Sequence, residues 1–593
     1  MAELKRIFDL LPHYKKNFTK PVMVAGKSSG KWKTYDTVNF LETVDNCSRG
    51  LALIGLNKGD KVAIMSPNRP EWNFCDFGIM QLGAASVPLY PTLSGQDLSH
   101  IINDAEVKII FLSGKEMYDK MVPVLQKYEL TTPIYSFDKI EGVPYWEDLL
   151  ESGKSSSIDL ETYKNNVHED DLLTLIYTAG TTGRPKGVCL SHKNLLSNVK
   201  DSQTLFPDNY KIAISFLPLS HIFERMVVYM YYSIGVSVYY AESLDTIIDD
   251  INDVKPHGFT TVPRVLEKVY DKIVAKGTSL KGIKKTIFFW ALNLGLRFEE
   301  PENNSAFYNF QLAIARKLVF RKWQEALGGN IVAIISGGAA LQPRLARIFW
   351  AASIPVLEGY GLTETSPVLS VNGLRKRELK FASVGKPLQS VVIKIADDGE
   401  VLCKGPNITI GYYKNDAATA ETIDEEGFLH TGDIGEITPD GFLRITDRKK
   451  EMFKTAGGKY IAPQVLENKI MESTLIAQVM VVGENRRFPS ALIVPAFEEL
   501  KAWCLHKKIG WTNKEEMILN KEVVEKYQRE LDQLNTEFGH WEQVKRFILL
   551  PEEWTIAAGE LTPKLSLKRK AILEKQQDNL DRLYSEATLP LNN

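Results

Sequence analysis

Tyr177-Thr-Ala-Gly-Thr-Thr-Gly-Arg-Pro-Lys-Gly187 comes directly after an apolar run at 172–177 of the kind that forms a buried strand. Glycines, threonines, one arginine and one lysine at the end of such a strand suit backbone N–H groups and hydroxyls wrapped around a polyphosphate. The loop is not a Walker A motif, because Gly180 to Gly183 is too short a gap and Lys186 is followed by glycine.

Working outward, short β-rich runs at 61–66 and 107–112 alternate with helical-period segments such as 71–84, the rhythm of α/β units on a largely parallel sheet. After Asp170 a second set follows: the strand at 172–177, the Gly/Thr loop, a helix near 192–199 and a strand at 331–336. A second sheet-containing subdomain is expected from these. Between about 380 and 445 the texture becomes short β-prone segments broken by Asp398-Gly399, Glu426-Gly427 and Asp440-Gly441, read as hairpins of a small β-rich subdomain. The charged run Asp447-Arg448-Lys449-Lys450 then marks a boundary. Beyond it lie Lys/Glu-rich helical sequence and two apolar strands, at 477–482 and 491–495.

The expected fold class is therefore α/β. A large N-terminal domain, residues 1–446, holds two sheet-containing α/β subdomains and the β-rich one, and a small α+β C-terminal domain covers 447–593.

The 593 residues are 44% hydrophobic and 25% charged with a formal charge of -2, which gives no support for nucleic acid as a partner. Five scattered cysteines, with no C-x-x-C pair and no zinc-ligand spacing, point to a reducing, cytoplasmic compartment. The first residues interrupt their apolar run with charges and do not read as a signal peptide. The uncharged stretch 226–241 falls short of the ~20 apolar residues of a membrane span and fits a buried helix running into a strand.

The loop at 177–187 resembles the AMP-binding signature of the acyl-adenylate-forming (ANL) superfamily, and further segments fit in the same order. Ser336-Gly-Gly-Ala-Ala-Leu341, with Gly338 and Ala339, resembles the family's adenine-pocket strand and turn. Glu358-Gly-Tyr-Gly-Leu-Thr-Glu-Thr365, with Tyr360, Gly361, Thr363 and Glu364, resembles its nucleotide and magnesium segment. Leu429-His-Thr-Gly-Asp433 resembles the ribose-binding turn, and Asp447-Arg448 followed by Thr455-Ala-Gly-Gly-Lys-Tyr-Ile-Ala-Pro463 resembles the hinge and the segment after it.

The resemblance implies ATP, Mg²⁺ and coenzyme A as the small molecules used. Lys186 with Thr178, Gly180, Thr181, Thr182 and Gly183 would hold the departing pyrophosphate. Glu364 would bind Mg²⁺, a hard ion that prefers oxygen ligands beside phosphate. Asp433 would accept from the ribose hydroxyls, Tyr360 would lie against adenine, and Arg448 would reach ribose or phosphate. The C-terminal domain would be mobile, turning about Asp447 to admit a thiol past Gly457 and Gly458.

Phe216-Leu-Pro-Leu-Ser-His-Ile-Phe-Glu-Arg225 narrows the resemblance to long-chain fatty acyl-CoA synthetases, with His221 between phosphate loop and acyl site. The implied reaction is activation of a long-chain fatty acid to acyl-AMP, followed by transfer to CoA. A fatty acyl-AMP ligase loading a carrier-protein thiol, and a nucleotide-binding homologue with reduced turnover, are the alternatives.

One departure concerns the C-terminal lysine. The long-chain pattern Leu-Thr-Pro-x-Leu-Lys-Leu-Lys-Arg would place its lysine at Ser566, leaving Lys564 and Lys568 as candidates on either side. Residues 281–323 combine a helix-like run at 283–298 with Arg316, Lys317, Arg321 and Lys322, so peripheral contact with the inner face of a membrane is the most this chain is expected to make.

Overall fold

The computed structural model describes residues 4–178, 184–243, 245–555, 558–562 and 567–585. These form two compact units. The first comprises Met1–Lys394, Leu402–Thr431 and Thr438–Leu443, and the second comprises Ile395–Val401, Gly432–Ile437 and Arg444–Asn593.

Two mixed sheets build the first unit. The seven-stranded sheet runs, edge to edge, through Gly411–Tyr412, Lys186–Ser191, Leu172–Thr178, Ala85–Pro88, Lys61–Met65, Val107–Leu112 and Ile134–Ser136. The nine-stranded sheet runs through Lys386–Pro387, Val368–Val371, Val356–Gly361, Ala333–Ser336, Gly258–Thr261, Ile212–Ser215, Ser237–Tyr240, Val24–Ser28 and Lys31–Tyr35. Both are parallel at the centre; the nine-stranded sheet has antiparallel pairing at both edges, and the seven-stranded sheet only on the side of Gly411–Tyr412, its Ile134–Ser136 edge being parallel.

One expectation is corrected here. The strand after Asp170 does not open the second sheet but completes the first, pairing parallel to Ala85–Pro88 through Ser86 and Thr174. Consecutive segments alone cannot distinguish these outcomes, because either sheet accepts an apolar strand buried on both faces. The second sheet instead takes the N-terminal hairpin at its edge, Val24 lying opposite Val238.

Helix Ile222–Ser233 followed by strand Ser237–Tyr240 matches the expected buried helix running into a strand. Its aromatic and aliphatic residues are buried nearly all round, as a helix between layers requires. The three turns read from Asp-Gly and Glu-Gly pairs share one geometry. Gly399, Gly427 and Gly441 all have φ near +85° and donate their N–H to the carbonyl three residues earlier, the positive φ being what glycine supplies.

The second unit is α+β, with Ile476–Val482, Ser490–Pro495 and Arg546–Leu549 forming a three-stranded sheet against helices including Pro463–Ile470 and Lys521–Leu534. Leu466, Met480, Leu492, Leu500 and Tyr527 lie in its core. The strand Arg546–Leu549 is short and mostly half-buried, which weakens its alternation in the sequence. All five cysteines are buried and unpaired.

Candidate active site

Four parallel strands of the nine-stranded sheet end side by side, and three of them lead into segments that the sequence singled out. Thr261 pairs with Ser336, and Ser336 pairs with Glu358. Beyond these ends lie the turn 337–341, the segment 361–365, and, after Ile212–Ser215, the run to His221. The carboxyl edge of a parallel sheet is where open α/β folds bind ligands, because the loops diverge there and leave a crevice.

Glu358 holds this edge together. Its Oε1 accepts the Leu341 N–H at 2.9 Å, tying the exposed turn of Gly338 and Ala339 to the neighbouring strand. Burial pushes its carboxyl up to about 8, partly offset by that N–H, so at neutral pH it is largely protonated. Gly338 has a φ of +82°, and a Cβ on Gly337 would meet the Phe223 ring at 3.2 Å.

On the seven-stranded sheet, Thr178 pairs with Lys186 where the two strands lead into the signature loop. Gly180, Thr181, Thr182 and Gly183 lie outside the described residues. Two of the loop's flanking residues have packing reasons. A Cβ on Gly187 would stand 3.0 Å from the Tyr177 ring, and the Tyr177 hydroxyl donates to Asp104 at 2.5 Å.

Lys186 Nζ lies 5.4 Å from the Tyr412 ring centroid, a cation–π distance, and the Tyr412 hydroxyl donates to Glu364 Oε1 at 2.9 Å. Lys186 and Glu364, 178 positions apart in sequence, thus share a partner. Thr409 supports the arrangement, its N–H donating to the Glu364 carbonyl at 2.8 Å and its hydroxyl to the Cys189 carbonyl at 2.6 Å. Sequence reading missed Tyr412: it belongs to no quoted motif, and its tyrosine pair, Tyr412-Tyr413, was the only signal. Tyr360 is half-buried on the strand that leads here, and Thr363 is buried at the start of the Thr363–Thr365 turn. Gly361 has a structural reason, since a Cβ would collide with the Pro367 carbonyl oxygen at 1.7 Å.

His221 caps the helix Ile222–Ser233, its Nδ1 accepting the Phe223 N–H at 3.1 Å. Behind it, Glu224 is fully buried, pushed up to about 7 by burial, and accepts from the Thr260 hydroxyl. Arg225 is a buried tie between layers. Its guanidinium pairs with Asp76 at 2.5 Å and donates to Ser86 at 2.7 Å and Thr174 at 2.8 Å. The Glu-Arg end of the motif therefore serves packing, while His221 is half-buried at the start of the helix.

In the second unit Arg448 Nε lies 3.2 Å from Oδ1 of the buried Asp433. The turn before Asp433 is fixed by Glu400, which accepts the Gly432 N–H at 2.9 Å and pairs with Lys449 at 2.8 Å. Asp447 is pushed up to about 6 by burial, against the pull of the Arg448 N–H, with Glu451 adding to the rise. Gly458 has a φ of +75° and closes a turn onto the Thr455 carbonyl, whereas a Cβ on Gly457 would meet nothing nearer than Thr455 Oγ1 at 3.9 Å. Lys568 is exposed, its N–H donating to the Glu560 carbonyl at 2.7 Å where Leu561 bridges Leu567. Lys564 lies outside the described residues.

Residues 13–413 match the family described as AMP-binding enzyme, and residues 451–588 match the AMP-binding enzyme C-terminal domain. The long-chain-fatty-acid–CoA ligase FadD15 of Mycobacterium bovis is 32% identical over 570 residues, covering 94% of this chain and 93% of that protein. Human long-chain-fatty-acid–CoA ligase 1 is 32% identical over 606 residues, covering 94% and 82%. Among solved structures, the adenylation domain of a carboxylate reductase from Mycobacterium chelonae superposes with a TM-score of 0.78 at 22% identity, covering 99% of this chain and 92% of that one. With three of its signature segments at the carboxyl edge of one sheet and its similarity running nearly end to end, the chain belongs to the AMP-binding enzymes of the acyl-adenylate-forming superfamily, among the long-chain-fatty-acid–CoA ligases.

Proposed function

We propose that the chain activates a long-chain fatty acid with ATP and passes the acyl group to CoA. A carboxylate oxygen attacks the α-phosphorus, the bond to the β-phosphate oxygen breaks, and pyrophosphate leaves. The CoA sulfur, its proton lost, then attacks the acyl carbonyl, and AMP departs with the oxygen it shared. The observation that carries this reading is the Lys186–Tyr412–Glu364 cluster beside the sheet edge, in a chain whose relatives bear the name of this reaction.

The first step brings an anion against an anion, so its barrier falls where fixed positive charge and donors stabilise the charge that develops on the phosphoryl oxygens. Lys186 supplies that charge, and the resemblance implies that Thr178, Thr181 and Thr182 would add hydroxyl donors to the departing pyrophosphate. Glu364 accepts one hydrogen bond from Tyr412 and has lone pairs for a cation as well. Mg²⁺ takes one or two carboxylates and completes its shell from phosphate and water, a donor set this segment fits, and when bound it would screen the phosphates. His221 meets the acid, Tyr360 and the turn of Gly338 and Ala339 receive adenine, and Asp433 with Arg448 receives ribose. Residues 447–593 then turn about Asp447, and the thiol enters past Gly457.

The same proposal places the protein at a membrane surface. Among the described residues no helix is long and apolar enough to cross a membrane, so the contact is peripheral.

AMP release dependent on CoA, measured over acids from acetate to oleate, tests the reading. Rates should rise steeply with chain length. Equal rates for short and long acids would sink the long-chain assignment, and acid-dependent pyrophosphate exchange without CoA-dependent AMP release would transfer the acceptor role to a carrier-protein thiol.

A further inference from the structure

Helix Ala306–Ala315 continues through a π-helical turn, Arg316–Phe320, into Arg321–Ala326. Its inward side is ordinary: Leu312, Ala315, Val319 and Phe320 are buried, and the Tyr308 hydroxyl donates to the Leu294 carbonyl at 2.7 Å. Its outward side is not. Phe307, Phe310, Ile314 and Leu318 recur at intervals of three and four, so they follow one line along the helix. They are exposed by 70%, 65%, 39% and 50%.

Scattered exposed apolar residues are common, but a continuous stripe that includes two phenylalanines marks a contact surface. The stripe also has a charge pattern. Between residues 303 and 324 the sequence has Arg316, Lys317, Arg321 and Lys322 and not one acidic residue. Lys317, Arg321 and Lys322 are exposed, while Arg316 is turned inward to the Ala351 carbonyl at 2.8 Å. Arg321 has a local partner in Glu325 at 2.9 Å.

The geometry points to this helix as a docking surface for an anionic phospholipid bilayer, its phenylalanines entering the acyl boundary and its lysines meeting the headgroups. The argument rests on the peripheral reading given above and adds the face that makes the contact. Charge decides the occupant: a second copy of this helix would bring three exposed cations against three, whereas an acidic lipid surface neutralises them. Placing ligase and bilayer together also shortens the route of a substrate that partitions into lipid.

Flotation of the full chain with vesicles of phosphatidylcholine and phosphatidylglycerol, against phosphatidylcholine alone, tests it. The protein should float with the anionic vesicles only, and less as salt rises. Phe307→Ser combined with Phe310→Ser should abolish flotation. Lys317→Glu and Lys322→Glu should each weaken partitioning by at least about fivefold, the effect of one basic residue near such a surface. All three variants should keep the wild-type melting curve and the wild-type rate of AMP release with a water-soluble acid. The proposal is overturned if the wild type ignores anionic vesicles, if the variants float as it does, or if the phenylalanine pair instead breaks a concentration-dependent dimer. Loss of AMP release in the wild type would count against the ligase reading, and vesicle binding is read without it.

Discussion

Tyr412 joins two residues that the sequence keeps far apart, its ring facing the Lys186 ammonium at 5.4 Å and its hydroxyl donating to Glu364 Oε1 at 2.9 Å. Tyr412→Phe keeps the ring and removes the donor. Pyrophosphate exchange should fall about tenfold, a hydrogen bond to a charged group being worth ~1.5 kcal/mol, with a changed Mg²⁺ dependence. Lys186→Met should cost more, roughly 10²–10³-fold, as expected for loss of a group that stabilises transition-state charge. An unchanged Mg²⁺ profile in Tyr412→Phe would reduce the contact to packing.

Glu358 predicts a stability that depends on pH. Its folded pKa of about 8 lies above the ordinary carboxylate value, so the folded state holds the proton more tightly. Its contribution is complete below about 4.5 and is lost as pH rises towards about 8, by up to ~1.4 kcal/mol per pH unit. Glu358→Gln removes the titration and should raise the melting temperature at pH 8 relative to wild type while changing little at pH 5. Thermal unfolding at the two pH values decides it.

The two glycines after Thr455 should part company. Gly458→Ala places a side chain at φ +75° and should destabilise by roughly 1–2 kcal/mol. Gly457→Ala meets no close neighbour and should leave folding and pyrophosphate exchange intact while slowing acyl transfer to CoA. Loss of both half-reactions in Gly457→Ala would remove its assignment to the thiol path.

Near the C-terminus, removing Lys564 and Lys568 together should slow pyrophosphate exchange by about 10²-fold, while the single variants say which side chain acts. Ser566→Lys, which restores a cation at the position the long-chain pattern uses, should rescue the double variant. If exchange is untouched in the double variant, adenylation here needs no lysine from this stretch.

Arg225→Ala should cost about 3–5 kcal/mol, because Asp76 would be left as a buried charge. Urea unfolding measures it.

Much of this was legible because local chemistry repeats in order: the Gly/Thr loop, the strand-end segments and the Asp-Gly turns each carry their signal within a few residues. What was not legible is partnership at long range. Tyr412 has no local mark, and its place beside Lys186 follows from an edge strand, Gly411–Tyr412, pairing with the strand Lys186–Ser191. The membership of Leu172–Thr178 in the first sheet follows from tertiary pairing and not from its apolar composition. Two motif residues also have packing reasons that no local signal shows: a Cβ on Gly361 would collide with the Pro367 carbonyl, and Arg225 joins Asp76, Ser86 and Thr174 in the core.

His221 accepts the Phe223 amide hydrogen at Nδ1, so the ring proton resides on Nε2. A histidine held in that tautomer has Nε2 as its ring donor. One bond thus sets both the direction of the ring and the first turn of the helix, so a substitution that removes Nδ1 would fray the helix start and release the ring together.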